Sequence, residues 1–264
     1  MLHDKLEKLR DEIRNYGRLA VAFSGGVDST FLLLMAKEAI GEQVIAITGR
    51  AQAFPTEELE EAKQFCIDHQ IKQIEVELNL EQVAGFRENP PNRCYLCKKS
   101  IFSKIIEAAE KQGITRVADG TNDDDLQDYR PGLKALAELQ VVSPLKDVGF
   151  TKAEIRQVLK KKGLPIWEKP AYACLATRIP YGEEITQEKL TRIGGLEAQL
   201  HQLGFLQVRV RCHGNVARIE VLPEEREKFF DLGLMEKVNG LGRKNGFQYV
   251  ALDLAGYKMG SLNT

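Results

Sequence analysis

The sequence has no apolar run near the ~20 residues a bilayer-crossing helix needs. Its longest, Leu19–Phe23 and Phe31–Ala36, are the size of a core strand and part of a core helix. Residues 1–14 (MLHDKLEKLRDEIR) are charged throughout and lack the apolar segment of a secretory leader. The expected compartment is therefore the cytoplasm, with no membrane partner. A surplus of either charge is also missing: 37 Lys+Arg stand against 38 Asp+Glu, a formal net charge of −1. That excludes a polybasic nucleic-acid coat, and any RNA contact would need a local basic face. Proline is scarce, at nine residues, while hydrophobic residues make up 43%, a balance that excludes a disordered chain. Neither GxxxxGK followed by Ser or Thr, nor GxGxxG after a strand, occurs anywhere. Histidines at 3, 69, 201 and 213 show no metal spacing. Cysteine occurs five times, an odd count, at 66, 94, 97, 174 and 212. In a reducing compartment these are poor disulfide candidates, and a metal, a cluster or catalysis is the more productive reading.

What is present falls into two patterns. At ~150 residues per ordinary domain, 264 residues make between one and two. Leu2, Leu6, Leu9 and Ile13 recur at helical spacing and predict an amphipathic helix over residues 1–16. Residues 18–23 read as a short strand ending in Ser-Gly-Gly, and residues 29–40 (STFLLLMAKEAI) as the helix after it. Further strands are expected at 43–49, 74–80 and 116–120, a candidate fifth at 141–144, and helices at 56–69 and 100–112. This alternation implies an α/β fold, a parallel sheet with helices on both faces and sites at the carboxyl ends of its strands. After Pro180 the pattern changes. A helix at 186–203 precedes alternating strands at 207–213 and 216–222, joined by Gly214-Asn215 as a tight hairpin. A helix at 224–234 and a strand at 248–254 follow. The expectation is a smaller C-terminal α+β unit with an antiparallel sheet and helices on one side. The expected division is residues 1–180 and 181–264.

Ser24-Gly-Gly-Val-Asp-Ser29 sits between the first strand and the helix that follows it. Two consecutive glycines let backbone approach a ligand closely and aim successive N–H groups inward, and the helix adds the positive end of its dipole. A Gly-Gly pair alone would only close a βα turn. Strand-SGGVDS-helix near the start of an α/β chain is far more restrictive and reads as a phosphate cradle, with hydroxyl donors from Ser24 and Ser29.

The SGGVDS motif resembles that of the PP-loop ATP pyrophosphatases, which include GMP synthetase, NAD synthetase and tRNA thiolases. The resemblance implies that Ser24, Gly25, Gly26 and Ser29 hold the pyrophosphate of ATP and that Asp28 helps place Mg²⁺. Prealigned donors and a metal would stabilise pyrophosphate as it leaves. Asp119-Gly-Thr-Asn-Asp-Asp-Asp follows the expected fourth strand in a carboxylate-rich loop that runs through Arg130 to Gly132. It is either a solvated acidic loop or, from its position at a strand's carboxyl end, part of a metal or nucleotide site through Asp119 and Thr121. Together with Pro180-Tyr-Gly182, Arg209-Val-Arg211, Ala217-Arg-Ile-Glu220 and Leu252-Asp-Leu-Ala-Gly-Tyr257, these segments are similar to the LarE family across nearly the whole chain. That family comprises ATP-dependent sulfur transferases that make the thiocarboxylates of the nickel-pincer nucleotide cofactor. The resemblance implies a homo-oligomer and a small mononucleotide substrate, while the near-neutral charge and the absence of an added RNA-binding domain count against a nucleic-acid partner.

Cys94-Tyr-Leu-Cys97 follows Asn89-Pro-Pro-Asn-Arg93, whose prolines read as a loop entry to the helix at 100–112. Cys174 lies in Pro170-Ala-Tyr-Ala-Cys-Leu-Ala-Thr-Arg178. A CxxC alone is a redox pair, half a zinc site, or nothing. In one branch of the LarE family the cysteine matching Cys174 gives up its own sulfur, which needs a single thiol. This sequence departs from that branch by adding Cys94 and Cys97. It resembles the branch in which three cysteines hold a [4Fe-4S] cluster whose open iron carries a sulfide, refilled from a sulfide source or a desulfurase. Zinc, with Cys212 or a histidine as fourth ligand, remains the alternative. Cys66 and Cys212 otherwise read as ordinary packing residues.

Arg209 and Arg211 alternate onto one strand face, as do Arg218 and Glu220 on the next strand, and Glu197 lies on the preceding helix. Paired arginines suit a phosphate or a carboxylate, or form a surface ion-pair face. The LarE resemblance implies that Arg209, Arg211, Glu197 and Glu220 approach the substrate and a metal, and that Lys98 and Arg178 contact the adenylate. Cys174, Asp28 and Lys98 are the expected catalytic residues. The chemistry expected is attack of a substrate carboxylate on the α-phosphate of ATP, giving an acyl adenylate with release of pyrophosphate, then displacement of AMP by sulfur. The rivals are thiolation of tRNA or another small molecule, a non-catalytic ATP-binding or iron–sulfur sensor, and an amidating ligase, for which no glutaminase-like segment is present.

Overall fold

A computed structural model describes residues 2–258 except 52, 55, 128–130 and 170–173. Arg130 and the stretch from Pro170 to Cys174, apart from Cys174 itself, therefore lie outside the described residues. The chain forms two units, one of Met1–Ala84 with Asn92–Tyr172 and one of Gly85–Pro91 with Ala173–Thr264.

In the first unit Leu19–Ala22 (β1) pairs in parallel with Val44–Arg50 (β2) on one side and Val117–Ala118 (β4) on the other. Lys72–Glu77 (β3) adds to β2, giving the order β3-β2-β1-β4. A parallel sheet is covered on both faces, and β1 and β2 accordingly carry unbroken apolar runs. Val27–Ile40 (α2) follows β1 and is buried from Ser29 to Ala36, with no polar stripe, so it is a core helix. Leu2–Tyr16 (α1) buries Leu9 and Ile13 against the same cluster. Thr56–Asp68 (α3), Arg93–Glu110 (α4), Pro131–Glu138 (α5), Pro144–Val148 (α6) and Lys152–Lys161 (α7) complete the unit. A Cβ on Gly49 of β2 would come within 2.6 Å of Ile101, so α4 crosses β2 at close range.

Three expectations change here. Helix α4 starts at Arg93, not Ser100, because the chain turns helical soon after the Pro-Pro pair, and Cys94 and Cys97 ride on its first two turns instead of in a loop. The candidate fifth strand is reduced to one parallel bridge, Ala118 to Val142, because Pro144 opens α6 and offers no donor to a ladder. Strand β3 ends at Glu77, short of Leu80, where a 3₁₀ turn begins.

In the second unit Gln187–Gln202 (α8), capped by the Thr186 hydroxyl, packs on Val208–His213 (β5). Strand β5 pairs antiparallel with Val216–Val221 (β6) through the expected Gly214-Asn215 turn, where Gly214 has φ 57°. Residues 223–230 wind as a 3₁₀ segment, and the full helix is Leu232–Lys244 (α9), started by the Asp231 side chain. Tyr249–Leu252 (β7) then pairs parallel to β6, so the sheet is mixed and the antiparallel expectation fails. A helix between two neighbouring strands returns the chain to the starting end, and the second strand then runs in the same direction. Gly85–Pro91 joins this unit through Asn89, whose amide donates to the Pro180 carbonyl at 2.7 Å, and through Ile185 N–H donating to Arg87 O at 2.8 Å.

Candidate functional site

The glycine turn begins where β1 stops, with Phe23 N–H still donating to Ile47 O on β2 at 2.9 Å. Gly25 has φ +70°, and a Cβ there would lie 3.1 Å from both Ala62 Cβ and Glu58 O of α3. Glycine is thus required twice, by conformation and by space. Gly26 is extended and caps α2 with no side-chain bond. Ser29 Oγ lies 3.1 Å from Ser24 Oγ and donates to Gly26 O at 3.2 Å. Among the described residues the N–H groups of Ser24 and Gly26 reach Ser29 Oγ and Ser24 Oγ, each at 3.4 Å, long for a hydrogen bond. Two serine hydroxyls, these loosely engaged amides and a helix N-terminus therefore converge on one turn. Asp28, half-buried, stands in the first turn of α2 and offers the hard oxygen a magnesium ion takes.

The chain leaving β4 runs against this turn, since a Cβ on Gly120 would sit 2.9 Å from Ser29 N. The flanking Asp119 is buried, its carboxylate accepting from Ser143 Oγ at 2.6 Å and from Thr121 Oγ1. The next carboxylates start α7: Asp124 accepts from Lys152 N–H at 2.7 Å, and Asp125 pairs with Lys152 Nζ at 2.9 Å. The solvated-loop reading therefore fails for Asp119 and Asp125, both at or below 5% exposed. Sequence reasoning passed over two neighbours. Thr30 and Asn122 are fully buried, and among the described residues neither the Thr30 hydroxyl nor either atom of the Asn122 amide has a hydrogen-bond partner. Such groups are rare enough to mark a place where a ligand or water supplies the missing bonds.

Cys94, on the first turn of α4, is exposed, and Cys97, which opens the second, is half-buried. Three residues apart, they share a helix face next to a positive helix end, which favours thiolates and the soft metals that bind them. The aliphatic stem of Lys98 lies across Gly132, where a Cβ would come within 2.6 Å of Lys98 Cδ. Cys174 is in the second unit and half-buried. Its carbonyl accepts from Thr177 N–H at 2.9 Å, Thr177 Oγ1 at 2.7 Å and Arg178 Nη1 at 3.2 Å. Among the described residues no group of three or more His, Cys, Asp or Glu side chains is gathered as a metal site. Thiols are the donors that an iron–sulfur or zinc centre takes; Cys94 and Cys97 stand at one helix end of the first unit, and Cys174 is a residue of the second. Cys66 is buried, with its thiol pushed up to about 12 by burial, and burial likewise raises that of Cys212. Both are packing residues.

The second unit holds a buried ionic group. Arg178, 1% exposed, grips Glu197 with Nε and Nη2, both at 2.9 Å, and Glu197 also accepts from Val210 N–H at 2.8 Å. Arg211 donates to Glu220 at 2.8 Å and to Thr177 O at 2.8 Å, while Arg218 adds a contact to Glu220 at 3.2 Å. Arg209 donates to Val208 O at 3.0 Å and stands over the Tyr257 ring at 5.3 Å. Burial, then the neighbouring Arg178 charge, lowers its pKa from the ordinary guanidinium value. The surface ion-pair reading is excluded, because Arg209 and Arg211 are 3% and 6% exposed. Among the described residues, three nearly buried guanidinium groups (Arg178, Arg209, Arg211) gather with two buried carboxylates (Glu197, Glu220), a basic cluster of the kind that suits an anion.

A family model described as "Queuosine biosynthesis protein QueC" matches residues 18–88, the stretch holding the glycine turn and strands β1 to β3. The protein "Pyridinium-3,5-bisthiocarboxylic acid mononucleotide synthase" of Lactiplantibacillus plantarum is 35% identical over 252 residues, 95% of this chain and 91% of its own. This chain belongs to the LarE family. An uncharacterized protein of Synechocystis, slr1717, is 44% identical over 268 residues, 100% of this chain and 98% of its own. The B subunit of the glutamine-hydrolyzing GMP synthase of Thermoplasma volcanium is 28% identical over 209 residues, 71% of this chain and 65% of its own. LarE membership makes the protein an ATP-dependent enzyme of the PP-loop class, and its match runs through both units, not the glycine turn alone.

Proposed function

We propose that this LarE-family enzyme transfers the adenylyl group of ATP to a carboxylate of pyridinium-3,5-biscarboxylic acid mononucleotide, releasing pyrophosphate, and then displaces AMP with sulfide, giving a thiocarboxylate. The observation that carries the reading is the Ser24–Ser29 turn, in which loosely engaged amides, two hydroxyls and a helix N-terminus meet. Ser24, Gly25, Gly26 and Ser29 hold the β- and γ-phosphates, and Asp28 would hold the magnesium ion that neutralises their charge. Asp119 and Thr121 shape the nucleotide side of the turn through their mutual bond. With pyrophosphate held, the substrate oxygen attacks the α-phosphorus, and the resulting mixed anhydride has an electrophilic carbonyl and AMP as leaving group. Lys98 and Arg178 orient the adenylate, and the buried basic cluster around Arg209 and Arg211 receives an anionic group of the mononucleotide. Cys94, Cys97 and Cys174 would hold a [4Fe-4S] cluster, which when bound supplies an open iron for the sulfide that replaces AMP. The enzyme works in the cytoplasm as an assembly of identical chains fed by an external sulfide source.

Pyrophosphate release from ATP tests the first step. It is expected with the mononucleotide, and absent with tRNA and with no acceptor. Release with tRNA alone would move the protein to the tRNA thiolases, and tight ATP binding without release under any condition would leave a non-catalytic binder. Anaerobic iron and sulfide content of the reconstituted protein against Cys97→Ala tests the second step. Negligible iron in the parent returns the sulfur to Cys174 itself, spent once per chain.

A further inference from the structure

Lys169 is absent from every role assigned above, yet it reaches the glycine turn. Its Nζ donates to the Gly25 carbonyl at 2.9 Å and pairs with Glu61 at 2.5 Å, and the Lys169 side chain is only 12% exposed. The backbone carrying it is itself tied down: Arg156 of α7 donates through Nη2 to Lys169 O at 2.8 Å and through Nη1 to Trp167 O. Lys160, one turn further along α7, lies 4.2 Å from the centre of the Trp167 ring, which fixes the 3₁₀ turn Pro165–Glu168 just before Lys169. The lysine is thus delivered to Gly25 by a braced segment, not by a floppy side chain.

The chemistry follows from the peptide unit. In a trans peptide the carbonyl and the following N–H point in opposite directions. Lys169 holds the Gly25 carbonyl on one side, so the Gly26 N–H is turned to the other, where its contact is the Ser24 hydroxyl at 3.4 Å. In the reading above, the phosphate oxygens are held on that side, beside the Ser24 hydroxyl. A left-handed glycine such as Gly25 can flip its peptide at little cost, and a flip would aim a carbonyl oxygen at the phosphates. A charged donor on that carbonyl removes the flipped state and adds a positive charge behind the cradle. Glu61 is mostly exposed, so water screens its opposing charge.

We propose that Lys169 is a positioning residue for pyrophosphate binding, locking the Gly25–Gly26 peptide so that its N–H faces the phosphates. The proposal rests on the reading of the turn as a phosphate cradle, and the two fail differently. Magnesium pyrophosphate and AMP are titrated separately into the full chain by calorimetry. If the parent binds no pyrophosphate, the reading of the turn is wrong. If it binds, Lys169→Met is expected to weaken pyrophosphate at least tenfold while AMP, which lacks the β- and γ-phosphates, changes less than twofold. Lys169→Arg, which keeps charge and donors, restores pyrophosphate to within threefold of the parent. A merely structural lysine would lower both ligands together. Glu61→Gln, at an exposed position, covers the case in which Lys169→Met does not fold: it leaves the Lys169–Gly25 bond in place and is expected to leave pyrophosphate binding unchanged or up to threefold tighter. Equal pyrophosphate affinity in Lys169→Met and the parent, parallel loss of AMP, or a threefold weakening in Glu61→Gln would overturn the proposal.

Discussion

Two neighbouring glycines in one turn predict opposite outcomes for the same substitution. At Gly25 an alanine would have to hold φ +70°, which costs about 1–2 kcal/mol for a residue with a side chain. Its Cβ would also press against Ala62 Cβ and Glu58 O, each 3.1 Å away, and one of these is helix backbone that moves little. Overpacking of this kind adds about 1–3 kcal/mol. The sum, roughly 2–5 kcal/mol, is a large share of the 5–15 kcal/mol that holds an ordinary domain folded. At about 2–4 °C per kcal/mol, Gly25→Ala should lower the unfolding midpoint by roughly 4–20 °C. Gly26 is different: its backbone at φ −81° and ψ 165° is open to any residue, and an added Cβ meets only Ser24 Oγ at 3.3 Å. Gly26→Ala should therefore fold like the parent, or up to about 1 kcal/mol better through the unfolded state, yet bind ATP at least tenfold more weakly because a methyl group stands in the cradle. Scanning calorimetry and ATP titration on the two variants separate these effects. A Gly25→Ala midpoint within 2 °C of the parent, or a Gly26→Ala protein that binds ATP normally, would refute the geometry on which the site rests.

Three further outcomes follow from the ion pair, the cysteines and a histidine. Glu197→Gln leaves Arg178 without its bidentate partner and should cost about 3–5 kcal/mol in urea unfolding, as broken buried pairs do; Arg178→Met together with Glu197→Met should recover most of it. In the folded, cluster-free protein at pH 8 a maleimide should label exposed Cys94 within minutes and leave Cys66 untouched by mass spectrometry, since a thiol at about 12 is ionised in only about one molecule in 10⁴. Burial first, and then Arg218, hold His213 below its ordinary pKa, so the unfolded chain takes up a proton that the folded one resists. Stability should thus fall as pH drops through and below about 6.5, and His213→Gln should flatten that part of the urea-midpoint profile.

Much of the architecture was legible because it is written in short-range patterns. The apolar runs of β1 and β2, the Ser24–Ser29 turn and the Gly214-Asn215 hairpin each need only a few consecutive residues to declare themselves. Strand β7 could not be oriented this way, since its direction depends on the α9 crossover, whose helical signal was placed too early, at residues 224–234. The start of α4 was misplaced for a similar reason: two prolines announce a loop but do not say how soon it ends.

By itself the sequence determined that a Ser-Gly-Gly turn follows the first strand, that two cysteines stand three residues apart, and that paired arginines share a strand face. Only the tertiary structure decided which of these polar groups are buried and against what. It put Arg178 on Glu197 and Arg211 on Glu220, tied Asp119 to Ser143 and Thr121, and brought Lys169 to the carbonyl of Gly25 across 144 residues of sequence. Turn and strand preferences act over neighbouring residues and can be read along the chain. The partner that satisfies a buried charge is chosen by packing between distant segments, and that choice exists only once the chain has folded.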